Sequence, residues 1–252
     1  MQLSILGVGL LGPGLSDWAS GQALLREPAR WASAATVVPP PNRLPATERR
    51  RAGLVIKASI VVADQALAAT HLDASTLATV FTSSTGDPSN CHALCEALAA
   101  PERLVSPTRF TNSVHNAPAG YWHIATHSRA PSTSLAAFDA SFGAGLLEAA
   151  AQCLSTQAPV LLVASDVPYP QPLHALRPLP DVFALALIVA PHGGRGLTLQ
   201  LVCTEKSTDA KSPSPATTFS ATQTIPNRPA TKRWSRTTAP SWRKATFTAR
   251  NT

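Results

Sequence analysis

No apolar run in this sequence approaches the ~20 residues that a membrane-spanning helix needs. One of the longest, VFALALIVA at 182–190, has fewer than half that number, so a helical membrane span is not expected. The opening MQLSILGVGLLGPG is apolar but has no basic stretch before it and no small-residue cleavage site, which argues against a secretory leader. Cysteine is scarce, with four in 252 residues, at 91, 95, 153 and 203. That number and spacing exclude a disulfide framework and fit reduced thiols in a cytoplasmic protein. Net charge is missing from most of the chain: residues 1–203 carry 12 Lys+Arg against 12 Asp+Glu. The formal +7 resides wholly in residues 204–252, as 9 Lys+Arg minus Glu205 and Asp209. The body therefore has no electrostatic footprint for nucleic acid.

Motifs for metal and cofactor chemistry are also absent. Cys91 and Cys95 flank His92 on a predicted helix, and His123 and His127 stand four apart on another. Neither pair has the further ligands of a zinc site, and no H-E-x-x-H occurs. GVGLLG at 7–12 matches G-x-G-x-x-G, but Pro13-Gly14 disfavour a helix start at the third glycine. The next strand candidate, AATVVPPP, ends in prolines where a ribose-binding acid should stand. No cofactor and no metal are expected. No G-x-S-x-G occurs either.

What is present is an alternation of strand and helix signals. LSILGVGLL reads as a buried strand, and SDWASGQALLRE as a helix capped by Ser16. A helix predicted from about Thr47 to Ala69 is apolar on nearly every face between Leu54 and Leu67, so it belongs between two layers. LATVFTSSTGD, STSLAAF, APVLLVASDV, DVFALALIVAP and GLTLQLV read as further strands. SNCHALCEALAA, NAPAGYWHIATH and GAGLLEAAAQCLSTQ read as helices. The order predicts an α/β fold, a sheet covered by helices on both faces. From Thr204 the chain is rich in Ser, Thr, Pro and Ala without periodicity, so 204–252 reads as a basic, disordered tail following a domain at 1–203. Its Trp-Arg pairs leave a membrane- or nucleic-acid-binding tail as a third function class, although a solvated tail is the simpler reading.

Four stretches together resemble the N-terminal half of the β-ketoacyl synthases: ILGVGLLGPGLSDW, TVFTSSTGD, SPTRFTNSVHNAPAGYWHIATHSRAPSTSLAAFDASFGAGLLEA and VLLVASD. The family's N-x-x-A-G helix is matched by Asn116, Ala119 and Gly120, and its G-P strand by Ala130-Pro131. The resemblance implies a thiolase-like mixed sheet, mainly the N-terminal half of that fold. It also implies a nucleophile at the N-terminus of a buried helix.

The family's T-A-C-x-S turn falls on Phe138-Asp139-Ala140-Ser141, with Asp139 at the cysteine position. Residues 136–142 contain no cysteine, and Cys153 lies 14 residues beyond Asp139. A thiol is needed there because it forms and releases a thioester readily, whereas a carboxylate does not. Asp139 reads instead as a helix N-cap. The two catalytic histidines of the family's C-terminal half are expected to be missing as well. The resemblance is therefore to the short chain-length-factor-like proteins of aryl-polyene and xanthomonadin-type pigment biosynthesis. Such a subunit is inactive alone, has no catalytic residue, and pairs with a full-length ketosynthase served by an acyl carrier protein. Phe110, Val114, Asn116, Gly120, Phe138, Asp139 and Ser141 are its implied pocket or interface residues. The alternative is a hydrolase or decarboxylase of acyl-carrier-protein thioesters working through Asp139 or Ser141.

Overall fold

The structure is a computed structural model that describes residues 2–191 and the backbone of 197–200 and 249–251. Its strands are β1 (Gln2–Leu11), β2 (Ala78–Thr82), β3 (Ser132–Leu135), β4 (Val160–Asp166), β5 (Phe183–Ala190), β6 (Leu197–Gln200) and β7 (Ala249–Asn251). They form one mixed sheet in the order β3-β2-β4-β5-β1-β6-β7. β3, β2 and β4 run parallel, and every later pairing is antiparallel. The helices are α1 (Trp18–Arg26), α2 (Ala46–Arg51), α3 (Leu54–Ala68), α4 (Pro88–Ala99), α5 (Pro107–Thr111), α6 (Ala117–Thr126), α7 (Ser141–Thr156) and α8 (Leu173–Leu176).

The continuous apolar runs of β4 and β5 divide their residues between two cores, as a strand buried on both faces must. Leu161, Val163, Ala184, Ala186 and Ile188 face α3 and α6, in a core with Ile56, Ile60 and Trp122. Val160, Leu162, Leu187 and Val189 face α7, against its Leu146, Ala149, Ala150 and Cys153. Ten residues of α3 are buried, distributed around its circumference, so the all-round apolar helix does lie inside the protein. GVG in β1 is where that helix touches the sheet. A Cβ on Gly7 would lie 2.0 Å from the Ala66 carbonyl oxygen, and one on Gly9 would lie 1.9 Å from that of Val62. These glycines serve helix-on-sheet packing.

Some local expectations are corrected. The helix foreseen from Thr47 to Ala69 is two helices, α2 and α3, because Ala52 and Gly53 are extended. A side chain at Gly53 would run into the Asp87 carboxylate, 2.3 Å from its Cβ. The cap of α1 is Asp17, not Ser16. Its carboxylate accepts from the Ser20 N–H at 2.7 Å, and the Ser20 hydroxyl completes a capping box. AATVVPPP forms no strand; the Asp181 carboxylate and the Val182 carbonyl hold Thr36 instead. At the far end, residues 249–251 pair with β6 as β7, where composition predicted no structure. Antiparallel backbone pairing on an open edge requires no side-chain pattern. The rest of the basic tail, 204–248, lies outside the described residues.

Candidate functional site

The strand-to-helix turn forms where β3 runs into α7. Phe138–Ala140 make a single 3-10 turn, entered through a left-handed Phe138 (φ +51°). Such a backbone is uncommon for a bulky residue and requires surrounding contacts to hold it. Ser141 supplies two of them: its hydroxyl accepts from the Ala137 N–H at 2.9 Å and donates to the Phe138 carbonyl at 2.7 Å. The Thr82 hydroxyl of β2 donates to the Ser141 carbonyl at 2.8 Å. α7 lies so close to β2 that a Cβ on Gly145 would stand 2.7 Å from Thr82 Cγ2.

Asp139 is not the helix cap that its position suggested. Ala140 stands at the cap of α7, with no side-chain capping bond. The left-handed step at Phe138 leaves the Asp139 carboxylate to a cation from a distant loop. Arg177 Nη2 donates to Asp139 Oδ1 at 2.5 Å and to the Ser84 hydroxyl at 2.6 Å. The guanidinium lies 3.9 Å over the Phe138 ring centroid and 6.0 Å from that of Tyr169. The Arg177 side chain is only 24% exposed. Nothing in the sequence pairs Arg177 with a turn 38 positions earlier, so spacing arguments miss it.

Ser84 is itself held from behind by Asp166, the last residue of β4. Oδ1 of Asp166 accepts from the Ser84 and Thr85 N–H groups at 2.7 and 3.0 Å, and from the Ser83 and Thr85 hydroxyls. A chain of contacts therefore runs from Asp166 through Ser84 to Arg177 and the 138–141 turn.

The other sequence-named residues surround this end of the sheet. Phe110 on α5, Val114 and Phe138 are 68%, 53% and 66% exposed, high for large apolar side chains. His115 Nε2 lies 3.4 Å from the Ser83 carbonyl, which brings the Val114 segment to the turn that leaves β2. Asn116 is exposed and makes no capping bond for α6. Gly120 is also exposed, and a Cβ there would meet nothing within 4 Å. The fold of this chain does not require a glycine at that position. β3 is the edge strand of the sheet on this side. Ser141, by contrast, is buried, and its hydroxyl is committed to the turn.

A cleft of about 830 Å³ adjoins the α5 segment, lined by Arg50, Arg51 and Arg109 together with Asp87, Asn90 and Asn112. The Asn90 and Asn112 amides donate to the Arg109 and Arg51 carbonyls at 2.8 and 2.9 Å, fixing the backbone that presents two of these arginines. Burial pushes the Asp87 carboxyl above its usual range, against the lowering effects of the Asn90 N–H and Arg109. Cys91 and Cys95 are exposed on α4; desolvation and the neighbouring Cys95 thiol both raise the Cys91 thiol. Among the described residues, no group of three or more His, Cys, Asp or Glu side chains is placed to hold a metal ion, and no helix is long and apolar enough to cross a membrane.

Comparison with known proteins identifies the fold as thiolase-like. One similar solved structure is the ketosynthase ApeO in complex with its chain length factor ApeC from Xenorhabdus doucetiae. It has TM-score 0.66 and 26% identity, over 81% of this chain and 85% of the matched one. The ishigamide ketosynthase/chain length factor matches at TM-score 0.59 and 15% identity, over 76% and 62%. AntDE:AntF, a type II polyketide synthase acyl carrier protein in complex with its ketosynthase, matches at 0.64 and 16%, over 79% and 67%. No curated protein matches. The sequence model for the N-terminal domain of β-ketoacyl synthase matches residues 18–248, and the chain belongs to that family.

Proposed function

We propose that this chain is a non-catalytic, chain-length-factor-type subunit that pairs with a full-length ketosynthase in polyene or fatty-acid-like biosynthesis. The observation that carries the reading is the ion pair of Asp139 with Arg177. At the turn where the family carries its nucleophile, the side chain is a carboxylate and a guanidinium is bound to it. Acyl transfer needs a nucleophile that an adjacent base or a lowered pKa activates. Neither Asp139, paired with a cation, nor Ser141, buried and donating to a backbone carbonyl, meets that need. The same geometry leaves the hydrolase alternative without an activated group.

The surface around the turn supports pairing. An edge strand offers unpaired backbone groups to another chain, and exposed Phe110, Val114 and Phe138 offer apolar area beside it. In this reading β3 and the segment from Arg109 to His115 form the heterodimer contact, and Asn116 and Gly120 lie within it. The near-equal coverage shares against the ApeO/ApeC match fit a relative of similar length. The arginine-lined cleft suits the acidic surface and phosphate of an acyl carrier protein. The location we assign is cytoplasmic, and the pathway an aryl-polyene-type pigment route.

Co-expression with a ketosynthase encoded beside it, followed by size exclusion, tests the reading. A heterodimer whose product length differs from that of the ketosynthase alone is expected. A chain that elutes alone and leaves product length unchanged would overturn it.

A further inference from the structure

We propose that Arg177 is a built-in stopper: its guanidinium fills the acyl position in front of residue 139, so a thiol restored there would remain closed to acylation. The inference rests on reading residue 139 as the family's nucleophile position. A carbonyl attacked from residue 139 must stand about 3–3.5 Å from the attacking atom. Arg177 Nη2 stands 2.5 Å from Asp139 Oδ1, on one approach to a side chain that is otherwise 43% exposed. It is held there from three directions, by the Asp139 carboxylate, by the Ser84 hydroxyl at 2.6 Å and by the Phe138 ring at 3.9 Å. Ser84 cannot easily retreat, because the Asp166 carboxylate holds the N–H groups of Ser84 and Thr85. Leu176, the preceding residue, is 84% exposed, so the chain turns the arginine inward while its neighbour faces out.

Thiol labelling of residue 139 separates access from reactivity. In Asp139→Cys the remaining Ser84 and Phe138 contacts keep the guanidinium in place. Iodoacetamide forms a carbon–sulfur bond to the thiolate, iodide leaves with its electron pair and the thiol proton goes to water. The octanoyl thioester of N-acetylcysteamine transfers its acyl group to the same sulfur and leaves as the thiol. Peptide-resolved mass spectrometry then reads each cysteine. Exposed Cys91 and Cys95 serve as rate references, and buried Cys153 reports any loss of fold.

Both probes are expected to label residue 139 roughly tenfold or more faster in the Asp139→Cys, Arg177→Ala double variant than in Asp139→Cys. That factor corresponds to opening a charge-assisted hydrogen bond and a ring contact first. Charge alone gives the opposite sign, since removing a neighbouring cation raises a thiol pKa and slows it. Equal or slower labelling in the double variant would overturn the proposal. If Cys153 labels in the Arg177→Ala background, Ser84→Ala replaces it: an increase over Asp139→Cys supports the stopper, and none overturns it. The assay uses this chain alone, so it reads out whether or not a heterodimer forms.

Discussion

The carboxylate of Asp166 accepts the Ser84 N–H at 2.7 Å, tying the end of β4 to the turn that leaves β2. Oδ1 of Asp166 also takes the Thr85 N–H and two hydroxyls. Truncation in Asp166→Ala removes this acceptor from all of those donors, of which the Thr85 hydroxyl keeps the Gly86 carbonyl. Hydrogen bonds to a charged group contribute about 1.5–3 kcal/mol each, discounted here for partial exposure and non-additivity. We expect a loss of about 2 kcal/mol in urea denaturation, together with easier labelling at residue 139 in the Asp139→Cys background.

Two glycines predict opposite outcomes. Gly9→Ala forces a Cβ to within 1.9 Å of the Val62 backbone oxygen, so α3 must lift from the sheet. Overpacking of this kind costs about 1–3 kcal/mol or more when the neighbour is backbone. The Cβ of Gly120→Leu meets nothing within 4 Å in this chain, and at this exposed helix position the change replaces a poor helix former, a gain of about 0.5–1 kcal/mol. The chain's Tm should fall in the first variant and hold or rise in the second. Only the second should remain folded yet lose co-elution with a ketosynthase.

Acid should weaken the cap of α1. The Ser20 N–H, outweighing desolvation, holds the Asp17 carboxyl below its ordinary value, with the Ser16 and Ser20 hydroxyls adding to it. A group with a depressed folded pKa stabilises fully above its unfolded value, ~3.9 for aspartate, and loses that contribution as pH falls through the folded value. Asp17→Ala should cost about 0.5–2 kcal/mol near neutral pH. The gap from wild type should close as the pH is lowered below ~4, measured by urea denaturation across pH.

Carrier-protein docking at the arginine-lined cleft predicts salt sensitivity. Arg50→Glu with Arg51→Glu should weaken binding of an acyl carrier protein to the heterodimer by about 1–3 kcal/mol in calorimetry at low salt. The difference should shrink as ionic strength rises. Binding that ignores both changes would place the carrier on the ketosynthase alone.

The sheet and its two layers were legible from the chain because burial writes them there. β5 is an unbroken apolar run, β4 is apolar up to Ala164, and α3 is apolar on nearly every face. The turn at 138–141 was legible as a place, through resemblance, but not as a structure. Asp139 looked like a cap because aspartate beside a helix start is a good one. The left-handed Phe138 and the distant Arg177 decided otherwise. The break at Ala52-Gly53 went unseen for a related reason. The glycine at the break is required by Asp87, a residue 34 positions beyond Gly53, and no local period records such a neighbour.

Subunit-resolved acylation tests the central claim most directly. The purified heterodimer is incubated with the octanoyl thioester of N-acetylcysteamine, and the intact mass of each subunit is measured. The account predicts an acyl adduct on the ketosynthase and none within residues 136–142 of this chain, peptide mapping setting apart any adduct on exposed Cys91 or Cys95. An adduct mapped to residues 136–142 of this chain would contradict it.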